Sequence, residues 1–189
     1  MKKHILTLAL IAASTSLASV KAAVIFNFTG DFATTNWTQT IPPAGSISLA
    51  GAPTSISLTS NDGGGGPANT DFTITAPTNG TVAFSWSYST TDQGGPTYDP
   101  FQWIVNGTPV QLTNDSGSNT QNGAESFMVS AGDIFGFRAR STDSIWGAAT
   151  TIVSNFSFDD GVSVIPEPGS AVALASLISL GLLTRNRRK

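Results

Sequence analysis

Carboxylates are the only side chains that could do acid–base work in the central part of this chain. Between residues 24 and 163 there is no histidine, cysteine or lysine; the one histidine is His4, and the 189-residue chain has no cysteine anywhere. That removes a Ser-His-Asp triad, a Cys-His pair, a zinc site built on His or Cys, and every lysine-based scheme. A glycosidase would need two carboxylates facing a sugar. Glu125 is the single glutamate of this stretch, and no pattern pairs it with an aspartate. A protein that is not an enzyme is therefore expected. Several remaining acids stand in loop-like runs. Asp92 and Asp99 share a run with Gly94, Gly95, Pro96 and Pro100, and Asp143 lies in the run 141–147. Loop aspartates commonly cap their own backbone.

The charge balance narrows the partners. The whole chain carries −3, but three of the nine basic residues lie in the first 21 residues and four in the last five. Residues 24–163 keep only Arg138 and Arg140 against eleven acids, a net of −9. Such a surface repels phosphate backbones, so no nucleic-acid partner is expected; it suits divalent cations or plain solubility. With no cysteine, the domain must be stable without disulfides.

These residues are positioned by a β-rich middle. Short runs of Val, Ile, Phe, Thr and Trp alternate with Gly, Asn, Asp and Pro clusters, and no helix signal interrupts them. The clearest strand is 81–89, where Val82, Phe84, Trp86 and Tyr88 share one face. Packing between two sheets explains that aromatic row better than a sugar platform does. Strands are also expected at 24–29, 36–40, 46–49, 55–58, 71–76, 101–105, 109–113, 124–130, 134–140 and 149–158. On the last of these, Ile152, Ser154, Phe156 and Phe158 are expected on one face. The expected fold is all-β, a single antiparallel β-sandwich, most simply a jelly roll.

The two ends read as addresses. Residues 1–23 have a basic start, a short apolar core and small residues up to Ala22 and Ala23, which is a signal peptide for signal peptidase. The middle domain is assigned to 24–158 and a linker to 159–165. The tail, 166–189, opens on Pro166, Glu167 and Pro168 and closes on Arg185, Arg187, Arg188 and Lys189. Its apolar run at 169–184 would reach roughly 24 Å as a helix, short of the ~30 Å hydrocarbon core. A short transmembrane helix held in the inner membrane with its arginines at the cytoplasmic side is expected, with the domain outside.

The tail resembles the PEP-CTERM sorting signal of bacterial exported proteins, in the order Pro166-Glu167-Pro168, apolar helix, arginine cluster. That resemblance implies recognition by an exosortase, a membrane-embedded protease-transpeptidase, and delivery to the cell surface or extracellular matrix. The middle resembles a CUB-like β-sandwich. The resemblance runs from Val82-Ala83-Phe84-Ser85-Trp86 to Asp92, then through Tyr98-Asp99-Pro100-Phe101 to Asn106-Gly107, and on to the stretch from Ser141 to Gly147. It implies Asp92, Asp99 and Asp143 as oxygen ligands of Ca²⁺. The cysteines usual in that family are missing, and its first acid is normally a glutamate. The leading expectation is a non-enzymatic surface or matrix protein, adhesive or structural in association with exopolysaccharide. The alternative is a carbohydrate-binding module, calcium-stabilised, with Trp37, Trp103 or Trp146 as its exposed ring.

Overall fold

The computed structural model describes residues 24–161. The expected leader and tail, with the sorting motif and the basic end, lie outside the described residues. Among the described residues, no helix is long and apolar enough to cross a membrane.

Eleven strands follow one another: β1 (Ile25–Phe26), β2 (Thr38–Thr40), β3 (Ser46–Ser48), β4 (Ser55–Thr59), β5 (Ala68–Thr75), β6 (Gly80–Thr90), β7 (Phe101–Val105), β8 (Thr108–Gln111), β9 (Thr120–Val129), β10 (Ile134–Ser141) and β11 (Ala149–Asp159). They form two antiparallel sheets. One has the order β3-β4-β11-β6-β9, with β1 added to the end of β11; the other has the order β2-β5-β10-β7-β8. Without the three short N-terminal strands, two four-stranded sheets remain, β4-β11-β6-β9 and β5-β10-β7-β8. This is the strand order of a jelly roll, as the sequence pattern indicates.

The sandwich is held by aromatic packing between the sheets. Val82, Phe84, Trp86 and Tyr88 of β6 all point inward and are buried. Across from them, Phe135 and Phe137 of β10 and Phe72 of β5 are fully buried. Trp37 stacks on Phe72 with ring centroids 4.6 Å apart and planes 4° from parallel. Its indole N–H donates to the Phe32 carbonyl at 3.0 Å, so its polar atom is satisfied in the core.

Three local departures from the sequence pattern have backbone causes. The first strand stops at Phe26, because Asn27 takes a left-handed conformation (φ 62°) and a 3-10 turn at Gly30–Phe32 follows. β9 begins at Thr120, inside what reads as a polar loop. On β11 the register to β6 shifts between Ser154 and Ser157, around Asn155 at φ 51°. This bulge corrects the expected face. Val153, Phe156 and Phe158 are buried, while Ile152 points outward and is 46% exposed.

The pairing also defines two ends. Ala149 of β11 lies opposite Thr90 of β6, and Asp159 lies opposite Thr81. Beyond the Thr90 end lie the loops 60–67, 91–100, 112–119 and 142–148. At the other end lie β1 and the described C-terminus.

Candidate functional site

The loop end is knitted together by backbone bonds between segments distant in sequence. Thr91 N–H donates to Ala148 O at 3.1 Å, Gln93 N–H to Trp146 O at 3.3 Å, and Thr142 N–H to Tyr98 O at 2.8 Å. Gly147 allows the closest approach. A Cβ there would sit 2.6 Å from the Thr91 carbonyl carbon, and its φ is +129°. The loop 142–148 also holds two non-glycine residues in the left-handed region, Ser144 at 59° and Trp146 at 73°. Each such residue costs on the order of 1–3 kcal/mol and persists only where the surroundings over-determine it. Here Ser144 is fastened by a bond from its hydroxyl to Gly66 O and one from its N–H to Ser141 Oγ, 2.6 and 2.9 Å long.

Beneath these loops lies a buried acidic cluster. Asp99 is 1% exposed and Asp92 2% exposed. Both carboxylate oxygens of Asp99, and Oδ2 of Asp92, have no hydrogen-bond partner. The other Asp92 oxygen accepts from the Gly94 N–H at 2.5 Å. Burial pushes the Asp99 carboxyl up to about 6; the nearby Ser60 and Ser141 hydroxyls pull it down in part, and the charges of Asp92 and Asp143 push it further up. Asp92 is likewise raised, chiefly by burial, with Asp143 and Asp62 adding to the rise. Ser60 Oγ and Ser141 Oγ each accept a backbone N–H, from Ala149 and Ser144, which leaves their hydroxyl hydrogens free to turn toward Asp99. The Tyr88 hydroxyl reaches the same region from β6, buried and without a partner.

Asp143 stands further out. It is half-buried, and one of its oxygens accepts from the Ile145 N–H at 3.3 Å. With Asp92, Gln93, Gly94, Tyr98 and Trp146 it lines an open cleft of about 330 Å³. Trp146 is 63% exposed and Tyr98 is 41% exposed. Gly94 has no Cβ to collide with the Tyr98 ring, which would otherwise be displaced.

The three sequence-predicted aspartates thus share one end of the sandwich. Asp92 and Asp99 are buried there, and the charge of Asp143 acts on both of them. Among the described residues, no three His, Cys, Asp or Glu side chains gather closely enough to ring a metal ion. The donors present are hard oxygens, two carboxylates and two hydroxyls, a set that suits calcium, magnesium or manganese and not the softer, thiolate-seeking metals. Of the three candidate rings, Trp37 is in the core and Trp103 stacks on Phe127 at 4.2 Å. Trp146 is the exposed one. Sequence reasoning missed Tyr98, Gln93, Ser60 and Ser141. Only the loop position of Tyr98, between Thr97 and Asp99, offered a signal.

No protein-family model matches the chain, and no curated protein sequence matches it. Solved structures with an overlapping fold include a family 35 carbohydrate binding module from Clostridium thermocellum. It is 13% identical, covers 70% of this chain and 98% of its own, and has a TM-score of 0.36. The N-terminal cellulose-binding domain of Cellulomonas fimi β-1,4-glucanase C is 14% identical over 68% of this chain and 97% of its own, with a TM-score of 0.34. The CBM22-1 xylan-binding domain of Paenibacillus barcinonensis Xyn10C is 11% identical over 75% and 97%, with a TM-score of 0.36. These overlaps are too loose to say anything of this chain's ligand.

Proposed function

We propose that residues 24–161 are a non-catalytic glycan-binding module that takes its ligand in the cleft at the loop end. The observation that carries this reading is Trp146. A large ring is held two-thirds out in solvent by a left-handed backbone, beside a second ring, an amide and two carboxylates. Rings stack on the apolar faces of sugars, and carboxylates and amides bond their hydroxyls. Calcium is proposed for the acidic cluster below, on Asp92 and Asp99 with Ser60 and Ser141, and with Asp143 toward the cleft. Bound there, it would neutralise the buried carboxylates and rigidify the loops that present Trp146. Binding of the full-length chain to a panel of immobilised polysaccharides tests the module. A glycan that binds the native chain and is lost with Trp146→Ala supports the reading; no binding to any glycan, or binding untouched by that change, overturns it.

The same reading extends to place. The leader would export the domain, and Pro166, Glu167 and Pro168 would be offered outside the membrane to an exosortase-type protease. The result is a surface or matrix protein associated with exopolysaccharide. Mass spectrometry of surface material tests this: a C-terminus near residues 166–168 supports processing, and a peptide ending at Lys189 refutes it.

A further inference from the structure

Three of the four outer strands of the two sheets are short. β2 and β3 have three residues each, and β8 has four with Pro109 among them. Short length and proline are the usual ways of blunting a sheet edge. β9 is different. It runs for ten residues and pairs with β6 at every position from Thr120 to Val129, with no bulge. No backbone bond from outside β6 reaches residues 121–129 among the described residues. Thr120, Asn122, Ala124, Ser126 and Met128 on its outer face are all exposed, Met128 by 83%. The strand has no proline, lysine or arginine, and Glu125 is its single charge. A long, regular, open edge is a template for another strand.

We infer that the β9 edge pairs antiparallel with the β9 edge of a second copy of this chain, about a two-fold axis at Ala124. The register follows from charge and size. An axis at Glu125 would set two carboxylates opposite each other, which is destabilising. An axis at Ala124 sets Glu125 against Gly123, which has no side chain to crowd it. On the outer face it sets Asn122 against Ser126 and Thr120 against Met128. The flanking outer positions on β6 are Ser85, Ser87 and Ser89, and on β11 Thr150, Ile152 and Ser154, so no charge on this face opposes the approach. The joined sheet has the order β3-β4-β11-β6-β9-β9-β6-β11-β4-β3. A closed two-fold pair uses up both edges, so the assembly ends at two chains. Because the strands are antiparallel, the two loop ends point in opposite directions. Resting on the proposed glycan reading, the pair is then a bridge that holds two polysaccharide strands at once, with the gain of a bivalent binder.

The absence of cysteine gives a direct test on the full-length chain. In Ala124→Cys, two sulfurs meet only if two β9 edges meet at that residue, where facing Cα atoms of antiparallel strands lie about 4.5–5.5 Å apart, within disulfide reach. Mild oxidation should yield a covalent pair, while Ala83→Cys on neighbouring β6 should not. The native chain should sediment at twice its 19.5 kDa, and Ala124→Lys should sediment as one chain with an unchanged circular-dichroism spectrum, melting lower by what the lost association contributed. A native single chain, or a pair that survives Ala124→Lys, overturns the proposal. If the pair forms and no glycan binds, the edge inference stands and the glycan reading fails. If Ala124→Lys keeps glycan binding but no longer precipitates the polymer, both stand.

Discussion

Replacing Asp99 by asparagine separates a ligand-binding carboxylate from a structural one. The side chain is 1% exposed and the Ser60 and Ser141 hydroxyls offset its burial only in part, so its charge is costly in the metal-free protein. Its carboxyl is raised from 3.8 to about 6. At about 1.4 kcal/mol per pH unit, this is roughly 3 kcal/mol of native-state destabilisation at neutral pH. The sign follows from the direction of the shift. Below about pH 4 the group is protonated in both states and costs nothing; the cost grows as pH rises through about 6 and is complete above it. Asparagine has the same shape and no charge. In excess chelator at pH 7.5, Asp99→Asn should therefore melt higher than the native chain, by roughly 6–12 °C for a domain of this size. At pH 4 the two should melt together. Calcium closes the gap. At one hundred times its dissociation constant it should stabilise the native chain by about 2.7 kcal/mol and leave the variant unmoved. Differential scanning calorimetry at the two pH values, with calcium and with chelator, reads all four states. A variant that melts lower than the native chain in chelator at both pH values would refute the reasoning. It would mean that Ser60 and Ser141 fully satisfy the carboxylate as a structural acceptor.

Trp146→Ala should reduce glycan affinity more than tenfold while moving the melting temperature little, since the ring is mostly in solvent; Trp146→Gly should lose affinity equally yet gain about 1 kcal/mol, because glycine relieves the left-handed backbone. Arg138 holds Asp71 through two bonds of 2.7 Å across β10 and β5, with both side chains about one-sixth exposed, so Arg138→Ala should cost about 2 kcal/mol in urea unfolding. Gly136 sits mid-sheet where a Cβ would overlap the Phe72 carbonyl of β5, so Gly136→Ala should cost about 3 kcal/mol or prevent folding, as circular dichroism would show.

The fold was legible wherever one face of a strand is uniformly apolar. β6 alternates without interruption, and its expected row of Val82, Phe84, Trp86 and Tyr88 is the buried one in the structure. Legibility failed where the backbone leaves the regular pleat. The bulge at Asn155 reverses the facing of β11, and nothing in the alternation of neighbouring residues signals where a left-handed residue will fall. The start of β9 was hidden for a different reason. Thr120, Gln121, Asn122 and Gly123 lie on an open edge, where no burial selects apolar side chains, so a strand there has the composition of a loop. Trp37 was misleading in the opposite way. Its neighbours are polar, yet a 3-10 turn and the Phe32 carbonyl carry it into the core.

The candidate site was suggested by its acids and hidden in its hydroxyls. Asp92, Asp99 and Asp143 are distinctive in type and setting, whereas Ser60 and Ser141 look like the many other serines of the chain until folding places them against Asp99. One sign of the candidate site was nevertheless present in the strands. Read toward the loop end, the inward residues of β6 are Val82, Phe84, Trp86, Tyr88 and Thr90, and those of β11, read the same way, are Phe158, Phe156, Val153, Thr151 and Ala149. Both strands pass from apolar to polar or small within one continuous interior. A core placed only for stability gains nothing from that gradient, since each buried hydroxyl or carboxyl without a partner is a cost. The aromatic packing of Trp37, Phe72, Phe137 and Phe156 therefore does the stabilising away from the loop end. Tyr88, Asp92 and Asp99 beneath the loops are buried with polar atoms only partly satisfied by the Gly94 N–H and the Ser60 and Ser141 hydroxyls, and they stand where that apolar packing gives out.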